Sequence, residues 1–334
     1  MKAALIFGKG DIRLENVELP PLKPDEVKVA IKACGICHFD LRFYNGSKQV
    51  ARPFVLGHEC CGVVDQVGAE VTHVKPGDRV AVSTDIPCGH CGYCIAGKTN
   101  FCSNRVSADG GFAEYLVAPG RQAFKFSDST SFDEACLTEP LACCMNGSLR
   151  GGIRPSSSVA VVGAGPIGLL HVQLARIFGA SKVIAVDPLA PRRQKAMELG
   201  ADAAVDPKGE DATKEVVRLT DGLGADAVIV AVENLDALEQ GIKMVAKQGT
   251  AVLFAGFHPT RELKVDANSV HYNEISLTGS SDFPISLFPQ ALKVIDSHRI
   301  QLKPIISHHF PLEKINEGFG AAMTLQGLKV IITP

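Results

Sequence analysis

The sequence predicts an α/β protein in which a barrel-like β domain is interrupted, along the chain, by a doubly wound parallel sheet. The first third consists of short segments with alternating polar and apolar residues, separated by glycine and proline, which is typical of strands. After about residue 150, apolar strands alternate with helical segments, which favours a parallel sheet covered on both faces. We therefore predict a β domain at 1–145 and 282–334, and a parallel-sheet domain at 146–281.

The clearest strand of the β domain is 26–33, where polar and apolar residues alternate as in a half-buried strand. A short apolar stretch at 1–7 is followed by glycine and charge, and predicts a first strand rather than a signal peptide. An apolar segment at 328–332 is expected to return to this domain as its last strand. Three further segments are predicted to be strands: 62–64, 78–82 and 112–117.

The second domain is expected to alternate strictly between strands and helices. Its predicted strands are 158–162, 183–186, 227–230 and 250–254. Its predicted helices are 166–178, 191–199 and 235–246. Beyond residue 282 the alternation ends, and two more helices are predicted at 289–297 and 312–324.

Charge and composition exclude several classes of function. The chain has 334 residues and a formal net charge of -2, which gives no electrostatic footprint for nucleic acid or an anionic membrane. No apolar run approaches the length of a membrane span. The chain has many cysteines, and its N-terminal segment does not resemble a secretory signal. Together these features indicate a reducing cytoplasm.

Four cysteines lie close together in the sequence, at Cys88, Cys91, Cys94 and Cys102. The short, glycine-bearing steps between them allow the backbone to wrap one zinc ion in four thiolates. A closed set of four ligands leaves no position for a substrate, so the predicted role is structural. The alternative is a disulfide cluster, which the odd total of 11 cysteines disfavours.

A glycine-rich loop predicts a dinucleotide site. Gly163, Gly165 and Gly168 follow a buried strand and open an apolar helix that begins at Pro166 and Ile167. The first glycine allows a tight turn, the second lets the backbone approach a pyrophosphate, and the third lets helix and strand pack closely. The helix N-terminus then offers N–H groups to the phosphates. The alternative is an ordinary strand-to-helix turn.

Asp187 ends the next strand and is placed to accept hydrogen bonds from the adenosine ribose. Its charge would repel a 2′-phosphate, which favours NAD over NADP. Arg192 and Arg193 follow closely and argue weakly for NADP.

A second possible metal site is formed by Cys37, His58 and Glu59. Thiolate, imidazole and carboxylate are the ligands of an open, catalytic zinc. Each residue alone has an ordinary explanation, because a single cysteine or histidine is more often part of a core or a hydrogen bond.

Together these features resemble the zinc-containing medium-chain dehydrogenase/reductase family over essentially the whole chain. The motifs that carry the resemblance occur in the family's order: Gly35-Ile36-Cys37, Gly57-His58-Glu59, the four cysteines, Gly110-Gly111-Phe112-Ala113-Glu114-Tyr115, Glu139-Pro140-Leu141-Ala142 and Gly163–Gly168. The resemblance implies a GroES-like β-barrel catalytic domain split around a Rossmann domain. It also implies a structural-zinc lobe at 86–104.

The motif at Glu139 resembles the polyol branch of that family, which includes sorbitol-type, threonine and sugar-phosphate dehydrogenases. In that branch the residues equivalent to Cys37 and His58 bind zinc, and Glu59 or Glu139 completes the site directly or through water. Asp40 matches the position that hydrogen-bonds the zinc histidine, although a solvated carboxylate or a turn cap is the alternative. Ile167 matches a position behind the nicotinamide ring, or else it packs helix against sheet.

The chain departs from the family at the proton relay. The second residue after the zinc cysteine is usually Ser or Thr, and here it is Phe39. The fifth is histidine in some members, and here it is Arg42. We hypothesise that His38, Glu59 or a water beside the zinc takes the proton, although His38 is favoured to point elsewhere, toward the cofactor phosphates. Arg42 is either a reader of anionic substrates or a solvated surface residue.

The predicted function is the zinc-dependent transfer of hydride from a secondary hydroxyl of a polyol, sugar or amino-alcohol-like substrate to NAD. The alternatives are an alcohol dehydrogenase, a ketone or aldehyde reductase, and a non-catalytic module that binds NAD and zinc. Two zinc ions per chain are expected, one catalytic and one structural. The resemblance also implies a homodimer or homotetramer, with 250–257 or 275–277 as candidate contacts unless these are internal strands.

Overall fold

The computed structural model describes residues 1–108, 110–324 and 327–334. They form two compact units. The first consists of Met1–Pro140 and Pro284–Pro334, and the second of Leu141–Phe283. Within the described ranges, no helix is both long and apolar enough to cross a membrane.

Most of the chain belongs to strands and short helices. The described strands are β1 (Lys2–Gly8), β2 (Asp11–Asn16), β3 (Glu26–Gly35), β4 (Phe54–Val55), β5 (Glu59–Val67), β6 (Arg79–Ser83), β7 (Asp85–Ile86), β8 (Val106–Ser107), β9 (Tyr115–Pro119), β10 (Ala123–Lys125), β11 (Ser158–Val162), β12 (Lys182–Val186), β13 (Ala203–Val205), β14 (Ala225–Val230), β15 (Val245–Leu253), β16 (Ser276–Gly279), β17 (Ile306–Pro311) and β18 (Lys329–Thr333). The described α-helices are α1 (His38–Tyr44), α2 (Gly92–Ile95), α3 (Phe132–Ala135), α4 (Thr138–Arg150), α5 (Pro166–Ile177), α6 (Ala190–Glu198), α7 (Ala212–Leu219), α8 (Leu235–Lys243), α9 (Ala267–Asn273), α10 (Leu287–Asp296) and α11 (Ile315–Ala322). Single 3₁₀ turns occupy Thr99–Phe101, Gly120–Gln122, Lys303–Ile305 and Leu312–Lys314.

Strand β3 is the centre of the first unit, because it pairs antiparallel with β5, β9 and β18. The sheet runs in the order β10-β6-β5-β3-β18-β17, and smaller sheets of β2-β1-β4 and β7-β8 accompany it. Every second residue of β3 from Val27 to Ile31 is buried, as its alternating pattern predicts. In this register Gly35 faces Glu59 on one side and Ile331 on the other. The ends of three strands are thereby brought together around the residues that follow β3.

The second unit is a six-stranded parallel sheet in the order β13-β12-β11-β14-β15-β16. The order reverses direction between β12-β11 and β14, which defines a doubly wound sheet, and ligands of such sheets bind beyond the carboxyl ends of the strands at that point. Strands β11 and β12 are apolar and buried along nearly their whole length, as central parallel strands require. The glycine-rich loop leaves β11 at this reversal point.

Several segments differ from the sequence prediction: the helix predicted at 312–324 is a 3₁₀ turn followed by α11, and β13, α7 and α9 were not predicted. Two other differences have a clear physical reason. The helix predicted at 235–246 ends at Lys243, and strand β15 begins at Val245. Val245 pairs with Ala225 of β14, so a tertiary contact takes over a segment whose apolar residues suit either helix or strand. Strand β9 begins at Tyr115, later than the predicted 112–117, because Phe112 and Ala113 contribute isolated bonds to Ala4 and Ala3 instead.

Candidate metal centre and dinucleotide site

The side chains of Cys37, His58 and Glu59 meet at the end of strand β3. One ligand atom of each lies within 4.8 Å of the others. Cys37 caps the N-terminus of α1, and Glu59 is the first residue of β5, so neighbouring strands deliver the thiol and the carboxylate. Thiolate, imidazole and carboxylate within this distance have the chemistry and the spacing of zinc ligands.

Asp40 joins two of these three residues. Its Oδ2 atom accepts a hydrogen bond of 2.9 Å from the backbone N–H of Cys37, and its Oδ1 atom lies 3.6 Å from Nδ1 of His58. The second distance is longer than a hydrogen bond but short enough for a strong charge interaction. Burial disfavours protonation of His58, but the charges of Asp40 and Cys37 outweigh burial and hold the pKa of His58 well above its usual value. A bound metal would replace the proton that this charge distribution attracts.

Glu59 is fully buried and forms an ion pair with Lys329 of strand β18. The Nζ atom of Lys329 lies 2.6 Å from Oε1 and 2.7 Å from Oε2 of Glu59. Burial opposes the charge on Lys329, but Glu59 and then Cys37 raise the pKa of its ammonium above its usual value. The side chain of Lys329 is 7% exposed, so this is a buried cation next to the candidate metal ligands.

The other acidic candidate, Glu139, lies in the first turn of helix α4 and is half-buried. It is not one of the three residues within 4.8 Å. Its charge nevertheless contributes to raising the pKa of both His58 and Lys329, which places it in the same neighbourhood. His38, the first residue of α1, is exposed.

Phe39 replaces the usual relay residue and lies against the candidate metal ligand His58. The two rings are edge to face, with centroids 5.7 Å apart. The ammonium of Lys48 stands 4.1 Å from the centre of the Phe39 ring and 4.6 Å from that of Phe43, which is cation–π geometry. Arg42 lies one turn along the same helix and is half-buried. The apolar ring of Phe39, in contact with the ammonium of Lys48, therefore stands at the position where the family resemblance implies a proton-relay residue.

The four clustered cysteines form a second group of possible ligands. Their sulfur atoms all lie within 4.8 Å of one another, with Cys88 and Cys94 separated by 4.0 Å and Cys91 and Cys102 by 3.9 Å. A tetrahedron with Zn–S bonds of about 2.3 Å has sulfur separations of about 3.8 Å. Backbone N–H groups of Cys94 and then Ser103 lower the pKa of Cys91 to about 6, which favours the thiolate. A disulfide needs sulfur atoms about 2.0 Å apart, so the geometry fits a metal and not a disulfide cluster.

The glycine-rich loop has the shape that a pyrophosphate site needs. A Cβ atom at Gly168 would overlap the carbonyl oxygen of Gly163, so glycine is required where helix α5 packs on the loop. At Gly165, in contrast, the nearest atom to such a Cβ is Nη1 of Arg192, 3.7 Å away. The space in front of Gly165 is open, and α5, twelve residues long with Pro166 at its first position, begins there. Its first N–H groups are the ones that bind anions at a helix N-terminus.

Asp187 supports this loop from the end of β12. It is 2% exposed, and its two carboxylate oxygens each accept a backbone N–H at 2.8 Å, one from Ala164 and one from Leu189. The two adjacent arginines differ in position. Arg193 donates to the carbonyl of Asp187 and pairs with Asp206, whereas the guanidinium of Arg192 lies next to Gly165.

A cluster of metal ligands in one unit and a dinucleotide-binding loop in the other are typical of metal-dependent oxidoreductases. Comparison with known proteins agrees. Residues 23–128 match the alcohol dehydrogenase GroES-like domain, and residues 166–297 match the zinc-binding dehydrogenase domain.

Two curated relatives and one solved structure illustrate the similarity. Sorbitol dehydrogenase of Gallus gallus is 33% identical, over 99% of this chain and 95% of its own. L-threonine 3-dehydrogenase of Bacillus licheniformis is 35% identical, over 98% and 96%. A Sinorhizobium meliloti protein described as a zinc-binding dehydrogenase, with NADP bound, is 33% identical and superposes with a TM-score of 0.95 over 100% of this chain and 99% of its own.

The chain belongs to the zinc-containing medium-chain dehydrogenase/reductase family, in its polyol dehydrogenase-like branch. The predicted family and the predicted fold class, a GroES-like domain split around a Rossmann domain, are thereby confirmed. The protein is an oxidoreductase that uses zinc and a nicotinamide cofactor.

Sequence reasoning missed Lys329. A signal was present, because Lys329 is the only charged residue in the apolar segment 328–332. A lysine inside a strand that is otherwise buried needs a partner of opposite charge. The identity of that partner, Glu59, depends on the pairing of β18 with β3 and of β3 with β5, which no local pattern contains.

Proposed function

We propose that this protein oxidises a secondary hydroxyl of a polyol, sugar or amino-alcohol-like substrate and passes the hydride to NAD. The observation that carries the proposal is the cluster of Cys37, His58 and Glu59 within 4.8 Å, on a chain whose other unit has an open glycine loop at Gly165. Such an enzyme also works in reverse, as a ketone or aldehyde reductase, when the ratio of cofactors favours it.

Cys37 and His58 would hold the catalytic zinc, and Glu59 or Glu139 would complete its ligands. Zinc in such a site polarises a bound hydroxyl and lowers its pKa. Asp40 orients His58, since its carboxylate faces Nδ1 and is itself fixed by the N–H of Cys37. Phe39 excludes water from one side of the site by covering His58.

NAD is the proposed cofactor. Gly163, Gly165 and the first turn of α5, with Pro166 and Ile167, would bind the pyrophosphate and the nicotinamide side. Asp187 would disfavour a 2′-phosphate by charge. The guanidinium of Arg192 lies beside Gly165, and a cation there would favour NADP. The S. meliloti structure contains NADP. A direct comparison of the two cofactors is therefore part of the test.

A second zinc is proposed in the lobe 86–104, bound by the four cysteines. Their sulfur separations support this, and two metals per chain would result. We propose a catalytic domain at 1–145 and 282–334 and a nucleotide domain at 146–281, whereas the two compact units of the structure divide after Pro140 and after Phe283.

The acceptor of the substrate proton is proposed to be His38, Glu59 or a water beside the metal. The exposure of His38 and the engagement of Glu59 by Lys329 favour a route that reaches solvent. If His38→Ala leaves the rate and its pH profile unchanged, His38 is excluded.

The protein is proposed to work in the cytoplasm as a homodimer or homotetramer. Of the two candidate contacts, β15 is an internal strand, whereas β16 is the edge of its sheet and Leu277 on it is 37% exposed. An unpaired edge strand can pair with that of a second copy. Light scattering of the purified protein measures the subunit count directly.

The first experiment is an assay of NAD and NADP reduction across polyols, sugars, sugar phosphates and amino alcohols, with metal content measured in parallel. A clear NAD-linked signal on one class of hydroxyl with two zincs supports the proposal. Preference for phosphorylated substrates would support anion recognition by Arg42. No reduction of either cofactor with any substrate, together with a single zinc per chain, would favour the non-catalytic module.

A further inference from the structure

Two asparagine–glycine pairs occur in the sequence, Asn45-Gly46 and Asn146-Gly147. This dipeptide is chemically labile, because glycine has no side chain to shield its backbone nitrogen from the neighbouring carboxamide. The two pairs lie in opposite surroundings. Gly46 is exposed and has a φ of 83°, whereas Gly147 is buried inside helix α4. The chain therefore contains a candidate reactive pair and an internal control for it.

The side chain of Asn45 folds back along the segment that follows helix α1. Asn45 caps the C-terminus of α1, and its Oδ1 atom accepts a hydrogen bond of 2.8 Å from the backbone N–H of Ser47. A turn of this kind brings the side-chain carboxamide toward the backbone nitrogen of the next residue, which is Gly46. The N–H of Ser47 also donates to the oxygen that gains negative charge when the carboxamide carbon is attacked, and a donor at this distance stabilises such an oxyanion.

The backbone nitrogen of Gly46 is held by one long hydrogen bond at the end of a short helix. Its N–H donates to the carbonyl oxygen of Phe43 over 3.2 Å, in the last turn of the seven-residue helix α1. Helix ends open at little cost. The atoms nearest to a Cβ built at Gly46 belong to the side chain of Lys9, so the closest neighbour is a flexible side chain rather than packed backbone. Gly46 can therefore change conformation without disturbing a core.

The second pair is held on all of these counts. The Nδ2 atom of Asn146 donates to the carbonyl oxygen of Asp282 at 2.7 Å. A Cβ atom at Gly147 would lie 2.8 Å from the ring of Phe254 and 3.0 Å from that of His171. The pair also lies well inside α4, a helix of 13 residues. Attack on the Asn146 carboxamide requires local unfolding of that helix.

We propose that Asn45-Gly46 is a site of self-modification: in the folded protein the backbone nitrogen of Gly46 attacks Cγ of Asn45, and the side-chain amide is lost. The new N–Cγ bond closes a cyclic succinimide, and Nδ2 leaves as ammonia with the proton that the nitrogen of Gly46 gives up. Water then opens the ring at either carbonyl and leaves aspartate or isoaspartate at position 45. Water enters and ammonia leaves, so the reaction needs no oxidant, reductant or cofactor.

Isoaspartate at this position would loosen the end of α1. Its backbone runs through Cβ and is longer by one atom, so the N–H groups that follow lose register with the helix. These are the N–H of Gly46, which donates to Phe43, and that of Lys48, which donates to the carbonyl oxygen of Arg42 at 2.9 Å. The second bond places Lys48 beside the ring of Phe39, which its ammonium contacts. The modification thus reaches the segment that packs on Phe39.

The test incubates the full-length protein in mildly alkaline buffer and follows both pairs by peptide mapping with mass spectrometry. The same chain unfolded in guanidinium chloride gives the rate at each pair without structure. Each rate in the folded protein is divided by its rate in the unfolded chain. We expect this quotient to be at least about tenfold larger at residue 45 than at residue 146, because the interior of a helix opens more rarely than its end. A smaller ratio would overturn the proposal.

Hydrogen exchange of the incubated protein tests the loosening of α1. The N–H groups of Gly46 and Lys48 should exchange faster once residue 45 has reacted. Asn45→Gln is the matched control, since it keeps a carboxamide whose extra methylene disfavours ring closure, and it should keep the pattern of fresh protein. Unchanged exchange in wild-type protein whose residue 45 has reacted would overturn the structural consequence. Neither readout depends on zinc, cofactor or turnover, so the inference and the proposed function fail independently.

Discussion

The ring of Phe39 stands edge-on to the ring of His58, with centroids 5.7 Å apart and planes inclined by 83°. The side chain that replaces a proton-exchanging residue therefore contacts a candidate metal ligand directly. It covers His58 without offering a group that can accept a proton. The ammonium of Lys48 lies 4.1 Å from the centre of the same ring, a cation–π contact that favours this orientation of Phe39.

Replacement of Phe39 should alter the pH dependence of catalysis. Phe39→Ser supplies a hydroxyl and admits water, so we expect the kcat profile to extend to lower pH, while KM rises because an apolar wall is lost. Phe39→Leu is the control, since it remains apolar and cannot exchange protons. Profiles of kcat and KM against pH measure both effects, and identical profiles for the serine and leucine variants would contradict the prediction.

Removal of the candidate ligand Cys37 should abolish one of two metal sites. Cys37→Ser is expected to bind one zinc per chain instead of two and to lose about three orders of magnitude in kcat/KM, since metal polarisation supplies several kcal/mol. Cys34→Ala is the control, because Cys34 is buried at the end of the same strand and is not in the ligand cluster. Elemental analysis decides the matter, and loss of metal in both variants would argue against a specific role for Cys37.

The four-cysteine lobe should behave as a separate, structural site. Cys91→Ser is expected to lose the other zinc, to melt at a lower temperature and to become sensitive to proteases within 86–104, because structural zinc contributes folding energy. The remaining metal and most of kcat should persist. Ser103→Ala, a change at an exposed neighbour, is the control, and a Cys91→Ser protein with both metals would rule the lobe out as a zinc site.

The two glycines at Gly165 and Gly168 should respond differently to a methyl group. Gly168→Ala forces a Cβ onto the carbonyl of Gly163 and should cost about 1–3 kcal/mol of stability, as overpacking does. Gly165→Ala meets no close neighbour, so its stability should be unchanged, whereas its affinity for the dinucleotide should fall because the pyrophosphate approaches there. Thermal unfolding and cofactor titration separate the two effects. Equal dinucleotide affinity in Gly165→Ala and the wild type would place the pyrophosphate elsewhere.

The buried His171 should make stability depend on pH. It lies in α5 with Nδ1 3.3 Å from the hydroxyl of Ser148 and its ring against Phe254, and burial lowers its pKa to about 3 from 6.5. Below pH 6.5 the unfolded chain binds a proton on His171 that the folded chain does not bind. The contribution of neutral His171 to the free energy of unfolding is therefore complete above pH 6.5. It is lost as pH falls toward 3, at about 1.4 kcal/mol per pH unit.

Urea unfolding at several pH values on either side of 6.5 tests this dependence. The slope for His171→Gln should be shallower than that of the wild type below that pH. His298→Gln removes an exposed histidine and should keep the wild-type slope. Parallel slopes for all three proteins would mean that His171 takes up a proton in the folded state.

Local pattern predicted the parts of the fold that are stabilised locally. Strand 158–162 and the start of the following helix at Pro166 agree with the structure to the residue, since a run that is apolar after Ser158 and a proline at the first helical position are both sequence signals. The helix predicted for residues 245–246 was wrong, because an apolar run next to a helix can either continue that helix or begin a strand. The pairing of this segment with β14 makes it a strand.

The candidate site divides in the same way. Residue type and sequence motifs predicted two sets of metal ligands, the four cysteines and the residues Cys37, His58 and Glu59. In the structure the side chains of each set lie close together. The edge-to-face contact of Phe39 with His58 and the ion pair of Lys329 with Glu59 could not be predicted, because they depend on side-chain direction and on strand register. The two features that distinguish this site are thus tertiary.

The discontinuity of the first unit has a consequence for biosynthesis. Lys329 lies beyond Leu141–Phe283 in the order of translation, so a ribosome releases the entire second unit before the strand that carries this lysine. The nascent chain therefore carries Cys37, His58 and Glu59 through most of its synthesis without their buried countercharge, in a sheet that still lacks β18. Chains are made at about 5–20 residues per second, which gives a delay of roughly ten seconds or more between Glu59 and Lys329. The sheet of the first unit is therefore completed only at the end of synthesis, by which time the whole second unit has already been made.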